Sequence, residues 1–204
     1  MRMLSYRNGY ETGKKIQKEM IRHRIELMKL LPKNPVIAEV GCAEGLFSKD
    51  LLDAGAGLLY MIDNWGHIPG VKGDGNFPQE WHDKNYADAM NRVKPYAKIF
   101  KPLGEERVVV LKGLSTQMAV HIPDKSLDMV YLDAAHYEDG VIADLKVYYP
   151  KVKPGGIIAG HDYLNDDYGV KSAVHYFVNH LIKKGTVLTI PENNARDASF
   201  YFEV

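Results

Sequence analysis

Five short apolar runs alternate with helical stretches along this chain, and that alternation restricts its fold more than any other feature. "VIAEV", "LLYMID", "RVVVLKG", "LDMVYLDAAH" and "KPGGIIAGHDY" read as strands, most of them buried. Between them stand "LFSKDLLDAG", "EWHDKNYADAMNRVKPYAKIF", a short helix holding Met118 and Ala119, and "YEDGVIADLKVYYPKV" with Val141, Leu145 and Tyr148 on one face. Strands separated by helices predict an α/β fold, a parallel sheet with helices on both faces. A further helix, "GVKSAVHYFVNHLIKKG", places Val174, Phe177, Val178 and Leu181 on its apolar stripe and stops at Gly185. The last two strands, "TVLTI" and "ASFYFEV", have no helix between them, so an antiparallel hairpin should close one edge of a seven-stranded, mostly parallel sheet.

Helical spacing of Ile16, Met20, Ile25 and Met28 predicts an N-terminal helix from about Thr12 to Leu31, before Pro32. The expectation is one domain over residues 1–204, with a helical extension at 1–34 and a lid or substrate wall at 65–107. Within that insert, Trp65, Phe77, Trp81 and Tyr86 could line an apolar pocket, while His67 and His82 read as solvated loop histidines. His175 and His180 read as surface residues.

Bulk composition removes several function classes. Lys plus Arg number 26 and Asp plus Glu number 26, so there is no basic excess of the kind that holds nucleic-acid phosphates. No apolar run approaches the roughly 20 residues of a membrane span. Cys42 is the only cysteine, which excludes an intrachain disulfide and suggests a reducing, cytoplasmic setting.

Ligands in such sheets bind beyond the carboxyl ends of the strands. After the first strand, "EVGCAEG" sets Gly41 and Gly45 in a tight turn flanked by Glu39 and Glu44. Pyrophosphate would meet both carboxylates there, and the third glycine of a dinucleotide site is missing. A ligand carrying an ammonium and a sulfonium reverses that sign. S-adenosyl-L-methionine is such a ligand, and Cys42 and Ala43 would lie beside it, with Cys42 as a small side chain lacking an activating base.

"EVGCAEG" resembles the first motif of the class I S-adenosylmethionine-dependent methyltransferases. That resemblance implies their three-layer Rossmann-like fold. It also implies Asp63 and Asn64 of "YMIDNW" at the ribose, and Gly113 and Ser115 of "LKGLS" beside the adenine. "VYLDAAH" and "IIAGHDY" bring Asp133, His136, His161 and Asp162 to the ends of neighbouring strands. Paired carboxylates raise each other's pKa unless a cation intervenes, so a divalent metal is one reading. Mg²⁺ suits carboxylates and water, and histidine involvement favours Mn²⁺, Fe²⁺ or Zn²⁺. The alternative is that Asp133 holds the cosubstrate's methionine moiety and His136 caps a helix.

The same segments resemble metal-dependent O-methyltransferases of the catechol type, and more closely those acting on antibiotic sugars and related small molecules. Asp133, Tyr137, Asp144–Leu145, Tyr149–Pro150, Pro154–Gly155–Gly156 and Asp162–Tyr163 carry the pattern. Two departures stand out. His136 occupies the place of the catechol type's lysine base, and His161 replaces the first of two adjacent acids. The resemblance implies a metal on Asp133, Asp162 and His161, with His161 or His136 as the base. It implies an O-methyltransferase acting on a small-molecule acceptor, with Mg²⁺ or Mn²⁺ as the candidate metal. A homodimer through an edge strand or the N-terminal helix stays open. So do a metal-free N- or O-methyltransferase, an NAD(P)-dependent oxidoreductase and a binding module without catalysis.

Overall fold

The structure is a computed structural model, and it describes residues 21–71, 73–96, 107–183, 185–192 and 198–204. The strands are β1 (Val36–Val40), β2 (Leu58–Asp63), β3 (Val108–Lys112), β4 (Leu127–Leu132), β5 (Val152–Gly160), β6 (Leu188–Ile190) and β7 (Ser199–Glu203). The α-helices are α1 (Leu46–Asp53), α2 (Gln79–Val93), α3 (Ser115–Met118), α4 (Glu138–Tyr148) and α5 (Val170–Tyr176). The seven strands form one sheet in the order β3-β2-β1-β4-β5-β7-β6. The first five run parallel, and β7 runs antiparallel between β5 and β6, so the β6–β7 hairpin forms one edge as the sequence predicts.

The period-2 alternation of side chains decides what faces what. In β4, Val130 and Leu132 pack on one face with Val141, Leu145 and Tyr148 of α4 and Val174 and Phe177. Met129 and Tyr131 point to the opposite face, against Phe47 and Leu51 of α1 and Trp65. All six β4 residues are buried, which is why a strand covered on both sides reads as an unbroken apolar run. Glu39 falls on the α1 side of β1, the side that also holds Ser48.

Two helices depart from their sequence pattern. Residues Arg24–Leu30 form a 3-10 helix instead of the α-helix expected there, and the remainder of that predicted helix, with Ile16 and Met20, lies outside the described residues. After α5 the chain continues as a π-helix over Phe177–Ile182. Its wider turn rotates Leu181 away from the stripe formed by Val174, Phe177 and Val178, and Leu181 is exposed. Among the described residues, no helix is long and apolar enough to cross a membrane.

One carboxylate ties the segment before β1 to the hairpin. Glu192 accepts from the Arg24 backbone N–H at 2.9 Å and from Ser199 Oγ at 3.1 Å, and lies 3.3 Å from His23 Nε2. The 65–107 insert contains α2, which packs on α1, and its residues 97–106 lie outside the described set.

Candidate active site

Strand order reverses between β1 and β4, and the backbone ladder continues past both strand ends. Gly41 N donates to Ile62 O at 2.8 Å, and Asp133 N donates to Val40 O at 2.7 Å. A Cβ on Gly41, whose φ is +91°, would lie 2.2 Å from the Asp133 carbonyl oxygen. Glycine is therefore required by the close approach of β4's end, and not only by a ligand. Gly45, with φ +75°, begins α1 and faces Ala89 of α2 at a distance that leaves little room for a side chain.

Asp63 is the hub of the turn. Its Oδ2 accepts from the backbone N–H groups of Cys42 and Ala43, both at 2.9 Å, and its Oδ1 accepts from Trp65 N at 2.7 Å. Three of about four lone-pair directions are thus occupied, leaving one for a hydroxyl. Burial nevertheless raises this carboxyl's pKa against those hydrogen bonds. Trp65 is buried with φ +39°, an outlier for a bulky residue. It is pinned there by its backbone bond to Asp63, its Nε1–H to Ala43 O at 2.7 Å, and the Tyr86 ring at 5.0 Å. Burial pushes the Cys42 thiol well above its ordinary pKa, so it is not a nucleophile.

Glu39, on the strand side of the turn, is less anionic than the sequence suggests. Glu39 is 2% exposed and accepts from Ser48 Oγ. Burial raises its pKa to about 8, which favours the protonated form at neutral pH. Glu44 lies at the lip, where Arg92 Nη2 stands 3.8 Å from its carboxylate and Nη1 donates to its carbonyl at 2.6 Å.

At the ends of β4 and β5, Asp133, His136 and Asp162 present one donor atom each within 4.8 Å of one another. His136 Nε2 stands 3.2 Å from Asp162 Oδ2 and 3.7 Å from Asp133 Oδ1, yet it is buried with no aligned hydrogen bond. Tyr168 stacks on its ring at 4.5 Å. His161 flanks the same carboxylates, its Nδ1 3.4 Å from Asp162 Oδ1 and 3.9 Å from Asp133 Oδ1. Burial opposes protonation of both imidazoles, but the two carboxylates outweigh it and raise both pKa values. The structure thus brings His136, where the sequence reading favoured His161, into the mutual donor set. Asp162 has φ +57°, a conformation Asp tolerates better than most side chains.

A cleft of about 420 Å³ runs along these strand ends. Of the residues singled out in the sequence, Glu39, Gly41, Cys42, Ala43, Asp63, Asn64, Ser115, Asp133 and His136 line it. Gly45, Gly113, His161 and Asp162 do not. Gly113 backs onto Met118, and His161 lines a small separate void beneath Asp133 and His136. Ser115 Oγ is committed to Asp144, a buried carboxyl whose pKa burial raises to about 6.

Three cleft residues escaped the sequence reading. His82, read there as solvated, is 6% exposed, and Asn85 is 3% exposed. Both line the cleft, and His82 Nε2 and Asn85 Nδ2 are buried without a hydrogen-bond partner. Their signal was present: His82, Asn85, Ala89 and Val93 form one buried stripe of α2, so two polar residues stand where apolar ones belong. Arg24 is the third. Its guanidinium lies 4.5 Å from the Phe47 ring centre, 5.8 Å from that of Tyr131, and 3.7 Å from Asp133 Oδ2.

A family model described as a methyltransferase domain matches residues 38–163, well over half of the chain. The chain therefore belongs to that family, and it is a methyltransferase that uses S-adenosylmethionine. No curated protein matches the chain significantly. Among solved structures, a candidate rRNA methylase of Clostridium thermocellum superposes with TM-score 0.61 at 17% identity, covering 87% of this chain and 92% of that one. The O-methyltransferase NovP gives 0.59 at 19% identity, over 87% and 74%. The O-methyltransferase of Bacillus cereus, solved with SAH, gives 0.56 at 15% identity, over 83% and 74%. At these identities the likeness is one of fold.

Proposed function

We propose that the chain methylates a hydroxyl of a small molecule, with a divalent metal held by Asp133, His136 and Asp162. The observation that carries this reading is the mutual approach of those three donor atoms beside the cleft, with His136 Nε2 buried and lacking an aligned partner. Two carboxylates and an imidazole suit a divalent ion, and the imidazole favours Mn²⁺ over Mg²⁺. A metal there would supply Lewis acidity and a template for the acceptor.

The chain's own residues do the remainder. The bonds from Asp63 to Cys42 N, Ala43 N and Trp65 N fix the turn against which the cosubstrate lies. Ile68 and Val71 line the cleft and would limit water around the acceptor. His161 stands behind the cleft lining, so it would receive the hydroxyl proton by way of the Asp133 carboxylate 3.9 Å from its Nδ1, and Asp162 stabilises the imidazolium that results. The balance of 26 basic and 26 acidic residues, together with acids along the cleft, opposes a nucleic-acid acceptor.

A second reading, metal-free transfer, draws on the same ion pairs, since His136 and His161 lie close enough to answer Asp162 without an ion. The test is Mn²⁺ titration of chelator-treated protein and of Asp162→Asn, alongside labelled methyl transfer to a panel of phenols and sugars with and without chelator. Micromolar Mn²⁺ binding lost in the variant, and transfer abolished by chelator, are expected. Undiminished transfer in chelator, with no Mn²⁺ bound, would leave the metal-free reading.

A further inference from the structure

We infer that Arg24 binds the α-carboxylate of the cosubstrate's methionyl end, so that the segment before β1 completes the cosubstrate site. This rests on the methyltransferase assignment and adds a residue outside the glycine turn. Among the described residues that line the cleft, Arg24 is the single Lys or Arg, against Glu39, Glu44, Asp63, Asp74 and Asp133. Acids alone would attract the ammonium and sulfonium of the cosubstrate but repel its carboxylate. A zwitterionic head needs both signs in one cleft: Arg24 supplies the cation and Glu39 the anion, while Asp133 Oδ1 faces the metal donor set.

The guanidinium is prepared for a second anion. Its pairing with Asp133 is a single 3.7 Å approach, not a two-pronged fork, so donors remain. The Phe47 ring lies against the guanidinium and Tyr131 engages part of its N–H edge, which leaves the remaining N–H groups as the part that can bind. Its backbone is anchored by Glu192 at 2.9 Å, so little ordering is needed on binding. The other stretch of the cleft, with Asn64, Trp81, Asn85 and Leu114, is neutral and part-aromatic. It suits a nucleoside and offers a carboxylate no cation.

The decisive comparison is S-adenosylhomocysteine against 5′-methylthioadenosine, which keeps the nucleoside and sulfur but lacks the amino-acid head. Both are titrated calorimetrically into wild type, Arg24→Met and Arg24→Lys. Arg24→Met should weaken S-adenosylhomocysteine by about 10- to 100-fold, the range for a lost charged hydrogen bond, and leave methylthioadenosine within about twofold. Arg24→Lys should fall between. Retained methylthioadenosine binding also reports that the variant is folded, and if Arg24→Met does not fold, Arg24→Lys decides by the same ratio. Unchanged or tighter binding of S-adenosylhomocysteine would overturn the inference, making Arg24 a stand-in cation that the cosubstrate displaces. Equal weakening of both ligands would overturn it too, since a purely structural role predicts that. If wild type bound neither ligand, the cosubstrate assignment itself would fail.

Discussion

Replacing Glu39 with Gln should make the protein more stable as pH rises, relative to wild type, although the change touches only the base of the pocket. Burial raises the Glu39 pKa from 4.5 to about 8 in the folded chain. Between those values the native state keeps a proton that the unfolded state has lost, so this residue makes unfolding easier as pH increases. One proton of difference corresponds to a slope of about −1.4 kcal/mol per pH unit, and the whole window to roughly 5 kcal/mol at most. Gln keeps the shape and can still bond Ser48, but it does not titrate. Denaturant unfolding of both proteins from about pH 5 to about pH 8 reads the effect, because titrating groups away from Glu39 contribute equally and cancel in the difference. The stability of Glu39→Gln minus that of wild type should climb through this range and flatten above it. Parallel curves would refute the reasoning, and a falling difference would mean that Glu39 is ionised in the native pocket. Cosubstrate binding should also release a proton, seen as a dependence of binding heat on buffer ionisation, because an ammonium nearby favours the carboxylate.

Asp63→Asn should destabilise the chain by about 2–4 kcal/mol, read by denaturant unfolding, because an amide cannot accept all three backbone N–H groups as a carboxylate does. It should also weaken S-adenosylhomocysteine more than tenfold in calorimetry, in proportion to the loss of the turn's geometry. His82→Phe separates stability from affinity in the other direction. Removing a buried, unpartnered nitrogen should leave the melting temperature unchanged or higher, while cosubstrate affinity falls about fivefold if that nitrogen meets the ligand; unchanged affinity would assign His82 to packing alone.

The architecture was readable because alternation of apolar runs and helical stretches survives in a single sequence. The β4 run "LDMVYL" and the glycine turn each announce their position through residues adjacent along the chain. What escaped depends on tertiary context. Leu181 fits a helical stripe, but the π-helix over Phe177–Ile182 changes the period and turns it outward. Glu39 reads as a charge in sequence, and only its enclosure against Ser48 converts it into a group that holds a proton. Arg24 lies in a segment whose helical pattern says nothing of a cleft formed by strands much further along. Both His136 and His161 approach the two carboxylates, and only the β4–β5 geometry shows that His136 shares one mutual donor set with them.

Glu192 gives the segment before β1 and the C-terminal hairpin a common fate. By gripping the Arg24 backbone, His23 and Ser199 at once, it makes the outer hairpin a foundation of the ligand pocket instead of a trim along the sheet. A lesion that loosens β7 would leave every strand-end motif in place and still slacken the pocket from behind. Variation at this edge would then tune how firmly the cosubstrate's methionyl end is held without touching any residue of the glycine turn.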